Sequence, residues 1–184
     1  MIYYTADLHF GHANVIRFDN RPFDNVDEMD RYIIDMWNAR VNDDDHVYIV
    51  GDICLNNSKP VDKYLAQLKG HKHLIVGNHD GKLLKNETAV GYLDSVDVIL
   101  QIDDNGRRVC MCHYPMAEWP GYYRGAWHVY GHIHNNKNDA FYIMKAMERA
   151  LNAACCINNY IPVTLDELIK NNEWFKADVE ERTD

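Results

Sequence analysis

The sequence predicts an α/β fold, and two observations carry that prediction. Short apolar runs alternate along the chain with stretches whose apolar residues recur at helical spacing. Five of the apolar runs stop on clusters of polar side chains, as strands do when they deliver residues to a site beyond their carboxyl ends.

Taken in order, Ile2–Ala6 is the first predicted strand and ends in Asp7-Leu8-His9. Val26, Met29, Ile33, Met36 and Trp37 place a helix over residues 26–40. Val47–Val50 is a second strand, ending in Gly51-Asp52. Val61, Tyr64, Leu65 and Leu68 mark another helix, with Pro60 at its first turn. Leu74–Val76 runs into Gly77-Asn78-His79-Asp80, and Arg108–Cys112 into His113-Tyr114-Pro115. Trp127–Tyr130 runs into Gly131-His132-Ile133-His134. Gly51, Gly77 and Gly131 let the backbone turn sharply at three of these ends. Thr164-Leu165-Asp166-Glu167 is a capping box, with Val163 and Leu168 as its hydrophobic staple, and opens a helix from Leu165 to Lys170.

A chain of 184 residues, 47% hydrophobic and 26% charged, is that of one soluble globular domain. Residues 1–175 form that domain, and the almost wholly polar stretch 176–184 reads as a frayed tail. Nothing resembles a membrane span, and Met1-Ile2-Tyr3-Tyr4-Thr5-Ala6-Asp7 has no basic n-region or apolar h-region. The expected location is the cytoplasm, where the five cysteines, which lack CxxC spacing, stay reduced. A net charge of −9 with scattered Lys and Arg argues against duplex DNA as a partner. Bound divalent ions would add local positive charge to that count.

The polar clusters pool two carboxylates (Asp7, Asp52), one amide (Asn78) and four imidazoles (His9, His113, His132, His134). Imidazole suits Zn, Fe and Ni, and carboxylate and amide oxygens suit harder ions such as Mn and Mg. Seven N/O ligands exceed what one catalytic ion needs, since such an ion keeps a position for water. They suit two ions sharing one carboxylate.

DxH, GD, GNHD, H and GHxH, in that order from Asp7 to His134, resemble the signature of the calcineurin-like metallophosphoesterases. "DLHFGHANVIRFDNRPF", residues 7–23, also resembles a subgroup of small bacterial and phage phosphoesterases. The resemblance implies a four-layer α/β/β/α sandwich of two mixed sheets with helices on the outer faces. It assigns Asp7, His9, Asp52 and His134 to a first metal, and Asp52, Asn78, His113 and His132 to a second. His79 becomes a catalytic residue near the substrate and Asp80 its orienting partner. The implied activity is hydrolysis of a phosphodiester or phosphomonoester by metal-activated hydroxide, with two divalent ions, Mn²⁺ first and Fe²⁺, Zn²⁺ or Ni²⁺ after it. The substrate would be a small phosphate ester, nucleotide-like in one version. The alternatives are a nuclease acting on single-stranded or terminal nucleic acid, and a catalytically weak protein-binding scaffold of the same fold. Two departures stand out: Cys112 precedes His113, and "NAACC", residues 152–156, replaces a Gly-containing stretch, which bears on the rim of the substrate cleft.

His12 and Arg17 follow the first ligand pair and are candidate contacts for substrate phosphate. Arg21-Pro22-Phe23 reads as a structural turn. His46, His71, His73 and His128 lie at strand starts or within strands and read as structural. Trp119, Tyr122, Tyr123 and Arg124 form an aromatic loop that could stack a base or simply pack.

Overall fold

A computed structural model describes residues 1–55 and 59–177. The first sheet contains β1 (Ile2–Thr5), β2 (His46–Ile49), β3 (His71–Ile75) and β4 (Ser95–Asp97), all parallel and in that spatial order. Val163 adds an antiparallel bridge at the β1 edge. The second sheet runs β5 (Ile99–Asp104), β6 (Arg107–Cys112), β7 (Trp127–Tyr130) and β8 (Ala150–Asn152). Its β5/β6 pair is antiparallel and the other pairs are parallel. Helices α1 (Ala13–Phe18), α2 (Val26–Arg40), α3 (Val61–Leu65), α4 (Glu87–Val90), α5 (Asp139–Lys145) and α6 (Leu165–Ala177) complete the chain.

Strand alternation separates three cores. Tyr3, Val47, Ile49 and Leu74 point outward from the first sheet onto Met29, Ile33 and Trp37 of α2 and Leu65 of α3. Their neighbours Tyr4, Tyr48, Val50 and Ile75 point the other way, onto Val109, Met111, Val129 and Leu151 of the second sheet. Cys110, Tyr130 and Ala150 face outward again, onto Phe141 and Met144 of α5. The result is the expected α/β/β/α stack.

The helix over 26–40 forms as its periodicity predicts, with the Asn25 side chain accepting from the Glu28 amide at its start. The helix after Pro60 is shorter than its apolar stripe, ending at Leu65. At the last helix Glu167 reaches back to the Thr164 amide at 2.8 Å, one arm of the capping box. That helix runs on to Ala177, so the tail does not begin at Lys176. The Lys176 ammonium is held by the Met147 and Ala150 carbonyls at 2.8 and 2.7 Å. Positions 178–184 of the expected tail lie outside the described residues. Among the described residues, no helix is long and apolar enough to cross a membrane.

Candidate metal centre

Parallel strands share one direction, so the carboxyl ends of β1, β2 and β3 align, as do those of β6 and β7. The two sheets are joined at that end: the Cys155 amide, just beyond β8, donates to the Ala6 carbonyl at 2.8 Å. All five polar clusters therefore reach one place.

The ligand loops adopt a costly backbone. Asp7, His9, Asp52, His132 and His134 all have positive φ, between 51° and 69°. Such conformations cost on the order of 1–3 kcal/mol each and persist only where surrounding bonds over-determine them. Those bonds are present. The Asp7, His9 and Phe10 amides donate to the carbonyls of Gly51, Asp52 and Ile53 at 3.0, 3.0 and 2.9 Å. The His132 amide donates to both Asp7 carboxylate oxygens, at 3.1 and 3.0 Å. Of the three glycines expected to turn, only Gly51 uses the left-handed region, at φ +86°. Gly77 and Gly131 serve close approach instead: a Cβ there would lie 2.3 Å from Asp52 Oδ1 and 2.7 Å from Asp7 Oδ2.

Two groups of donor atoms result. Asp7, His9 and His134 offer atoms that lie within 4.8 Å of one another, and so do Asp7, Asp52 and His113. His9 Nε2 is 3.1 Å from His134 Nε2. Asn78 Oδ1 joins the second group, 3.0 Å from His113 Nε2 and 2.9 Å from His132 Nδ1. Asp52 Oδ2 sits between the groups, 3.8 Å from His9 Nε2 and 3.5 Å from His113 Nε2. Asp7, Asp52 and His113 are buried, while Asn78, His79 and His132 are exposed at the mouth.

The lone pairs fit cations. His113 Nδ1 donates to the Val50 carbonyl at 2.8 Å, so in the neutral ring Nε2 is a bare lone pair facing the Asp52 carboxylate. His134 Nδ1 is committed to the Asp19 carboxylate at 2.8 Å, which leaves its Nε2 lone pair facing Asp7 Oδ1 at 3.6 Å. A proton or a metal ion between them reconciles such pairs. Burial raises Asp7 to about 6. Burial, reinforced by His134, lowers His9 to about 3 and keeps that ring neutral. Burial opposes the charge on His113, but the Asp52 hydrogen bond and the Asp7 and Asp52 charges outweigh it and lift the imidazole to about 9. The donor set is nitrogen and oxygen throughout. Cys155 Sγ donates to the Asp7 carbonyl at 3.2 Å, and burial lifts that thiol to about 11, so it stays neutral beneath the site.

Over 171 residues the chain is 34% identical to the uncharacterized protein MJ1445 of Methanocaldococcus jannaschii, an alignment covering 92% of this chain and 89% of the relative. The two belong to one family. It is 37% identical over 90 residues to the gene 66 protein of Mycobacterium phage L5, covering 47% of this chain and 43% of the phage protein. Among solved structures, the protein of unknown function AQ665 from Aquifex aeolicus shares the fold at a TM-score of 0.72 and 23% identity. That match covers 92% of this chain and 98% of AQ665. No protein-family profile matches the chain. The four-layer fold brings the five ordered motifs together at one double cluster of donor atoms.

The other candidate residues divide. His79 stands at the mouth, its amide on Asp52 Oδ1 at 2.8 Å and its Nε2 4.0 Å from Asp52 Oδ2. Asp80 does not orient that ring. Its buried carboxylate accepts from the amides of Asp52, Ile53 and Gly77 at 2.9, 3.0 and 2.8 Å, clamping two ligand loops together. His12 packs against His9 with ring centroids 5.6 Å apart. Arg17 is exposed on α1, its guanidinium 5.4 Å over the Phe18 ring.

Arg21 carries more than the turn expected of it, and it acts with Asp19. Arg21 bonds Asp19 Oδ2 through Nε and Nη2 at 3.0 and 2.9 Å, and reaches the Leu8 and Asp7 carbonyls at 3.0 and 2.9 Å. Asp19 in turn fixes His134. Asn152, in the departing "NAACC" stretch, holds the His134 carbonyl at 2.7 Å, so that stretch braces a ligand loop. Within the aromatic loop Trp119 packs, being buried, donating to the Ala126 carbonyl at 2.9 Å and stacking on His128, while Tyr123 is exposed.

Proposed function

We propose that the protein is a dinuclear metal-dependent phosphoesterase with a preference for small diesters. The observation that carries this reading is the position of Asp52 Oδ2, within 4 Å of His9 Nε2 on one side and His113 Nε2 on the other. One carboxylate can then serve two ions. His9, His134 and Asp7 would hold the first, and Asn78, His113 and His132 the second. When bound, the ions supply Lewis acidity toward phosphate oxygens and lower the pKa of water. Mn²⁺ suits the mixed imidazole and oxygen set, with Fe²⁺, Zn²⁺ or Ni²⁺ as substitutes.

The chain's own part is orientation and proton transfer. His79 has a side chain 38% exposed at the mouth, and its backbone is pinned to the shared carboxylate. It is placed to give a proton to the leaving oxygen. The mouth beside it is open, with Tyr114 47% exposed and its ring 4.6 Å from that of His132. An open mouth accommodates both ester arms of a diester.

The experiment is turnover of bis(p-nitrophenyl) phosphate and p-nitrophenyl phosphate by metal-stripped and Mn²⁺-reloaded protein. Activity only after reloading, faster on the diester, is expected. Cleavage of a labelled single-stranded oligonucleotide with neither small ester turned over would favour the nuclease. Inertness toward all three with Mn²⁺, Fe²⁺, Zn²⁺ and Ni²⁺ would leave the scaffold.

A further inference from the structure

The first sheet carries a second convergence of imidazoles, at the opposite end of its strands. His46 opens β2, His71 opens β3, and the register pairs His46 with His71 and Tyr48 with His73. β2 runs from His46 to Ile49, which at about 3.3 Å per residue puts roughly 10 Å of strand between this cluster and the turn that carries Asp52.

We propose that His46 Nδ1 and His73 Nε2 chelate a transition-metal ion of tetragonal or octahedral preference, Ni²⁺ or Cu²⁺, with the His71 ring packed beside them and solvent completing the coordination. The two nitrogens are 2.9 Å apart. With metal–nitrogen bonds of about 2.1 Å, that spacing subtends about 90°, whereas a tetrahedral ion needs about 3.4 Å. A right angle between imidazoles belongs to Ni²⁺ and Cu²⁺ rather than to structural zinc.

The second ring nitrogen of His73 is tied down as a metal ligand's usually is, and so is Nδ1 of the neighbouring His71. His73 Nδ1 meets Ser95 Oγ at 3.0 Å, and His71 Nδ1 meets Asp94 Oδ1 at 2.9 Å. Asp94 is itself fixed by the Lys72 amide at 3.0 Å. The rings are also held in place: His46 stacks on His71 at 4.8 Å, and Tyr48 backs His73 at 4.7 Å. His128 supplies the contrast. It is buried, donates to the Cys110 carbonyl at 3.1 Å and accepts from the Met116 amide at 3.1 Å, so both nitrogens are used structurally. His46 and His71 are exposed, and an ion can reach them from solvent.

The ordinary alternative is an imidazole–imidazole hydrogen bond with no ion, and metal counting separates the two. The full chain, stripped and dialysed against Ni²⁺, is compared with His46→Gln, which keeps a hydrogen-bond partner for His73 but removes the imidazole. The wild type is expected to hold one more equivalent of Ni²⁺ than the variant. Asp52→Asn, which perturbs only the distant centre, is expected to keep that equivalent. With one equivalent of Cu²⁺, the nitrogen hyperfine pattern in the electron paramagnetic resonance spectrum of the Asp52→Asn protein should change when His46→Gln is added. Matched circular dichroism spectra guard against misfolding, and phosphoesterase activity should not change in His46→Gln. Equal Ni²⁺ content in wild type and His46→Gln, or an unchanged Cu²⁺ spectrum, overturns the site.

Discussion

Asp19→Asn tests how the His134 ring is held. In the native site both Asp19 oxygens lie within 2.9 Å of His134 Nδ1, and Oδ2 also takes two bonds from Arg21. The Asp19 and Arg21 side chains are buried, at 2% and 0% exposure, so solvent does not screen the pair. An amide of the same size has one acceptor for the same donors, and its NH₂ must face either the imidazole N–H or the guanidinium. Two effects follow. His134 loses the partner that fixes its Nε2 lone pair toward Asp7, and such partners are worth about 10- to 100-fold in metal affinity. Arg21 is left a buried cation with its carboxylate neutralised, at about 3–5 kcal/mol. Competition between a fluorescent chelator and the protein for Mn²⁺ reads the first effect, and urea denaturation of the metal-free protein reads the second. One ion should weaken while the other stays. Asp19→Glu should recover part of the affinity. Asp19→Asn protein that binds both ions as tightly as wild type would refute the idea that Asp19 sets the ring.

Further expectations concern the shared carboxylate, the mouth, the clamp and the ions themselves. Asp52→Asn should weaken both metals together; elemental analysis after gel filtration that finds two retained ions would remove the bridge. His132→Ala should lose metal, whereas His79→Ala should keep both ions and lower kcat by about 10²–10⁴, less for nitrophenolate than for alkoxide leaving groups. If the His79→Ala defect ignores leaving-group pKa, His79 is no acid. Asp80→Ala should leave three buried amides without an acceptor, at about 1–3 kcal/mol each, and lower the urea midpoint sharply; an unchanged midpoint would dissolve the clamp. Chelation should lower the melting temperature and abolish turnover, with Mn²⁺ restoring both and Mg²⁺ restoring turnover poorly. Full activity in Mg²⁺ with rigorously Mn-free buffer would contradict the histidine-rich centre.

The strands that carry ligands were legible because each is an apolar run that stops on polar residues, a pattern that needs no tertiary information. The others lacked it. β4 and β8 are three residues each, and β5 is half-exposed with two aspartates at its end. β5 did leave one unread signal: Asn105-Gly106, both at positive φ, is the two-residue turn that joins it to β6. Helix α5 likewise had a readable start, since Asn138 accepts from the Phe141 amide. The roles of Asp19 and Asp80 were not legible in the same way. Asp19 finds His134 across 115 residues, and Asp80 finds the Asp52 and Ile53 amides across 28 and 27, so no local spacing encodes either bond. A Gly-Asn-His-Asp run invites pairing its last two side chains, and here the fold turned the carboxylate inward instead.

The left-handed backbone at Asp7, His9, Asp52, His132 and His134 has a bearing on how this lineage can change. At an ordinary strand end, trading a ligand for glycine loosens the chain. At these positions glycine relaxes a conformation that side chains resist, offsetting part of the packing lost with the ligand. At Asp7 and Asp52 the same trade strands the His132 and His79 amides that those carboxylates accept, so the relief is largest at the three histidines. A descendant freed from selection for catalysis could drift through single glycine or asparagine replacements and keep its sandwich, while a descendant that retains all five ligands does so against a standing conformational bias.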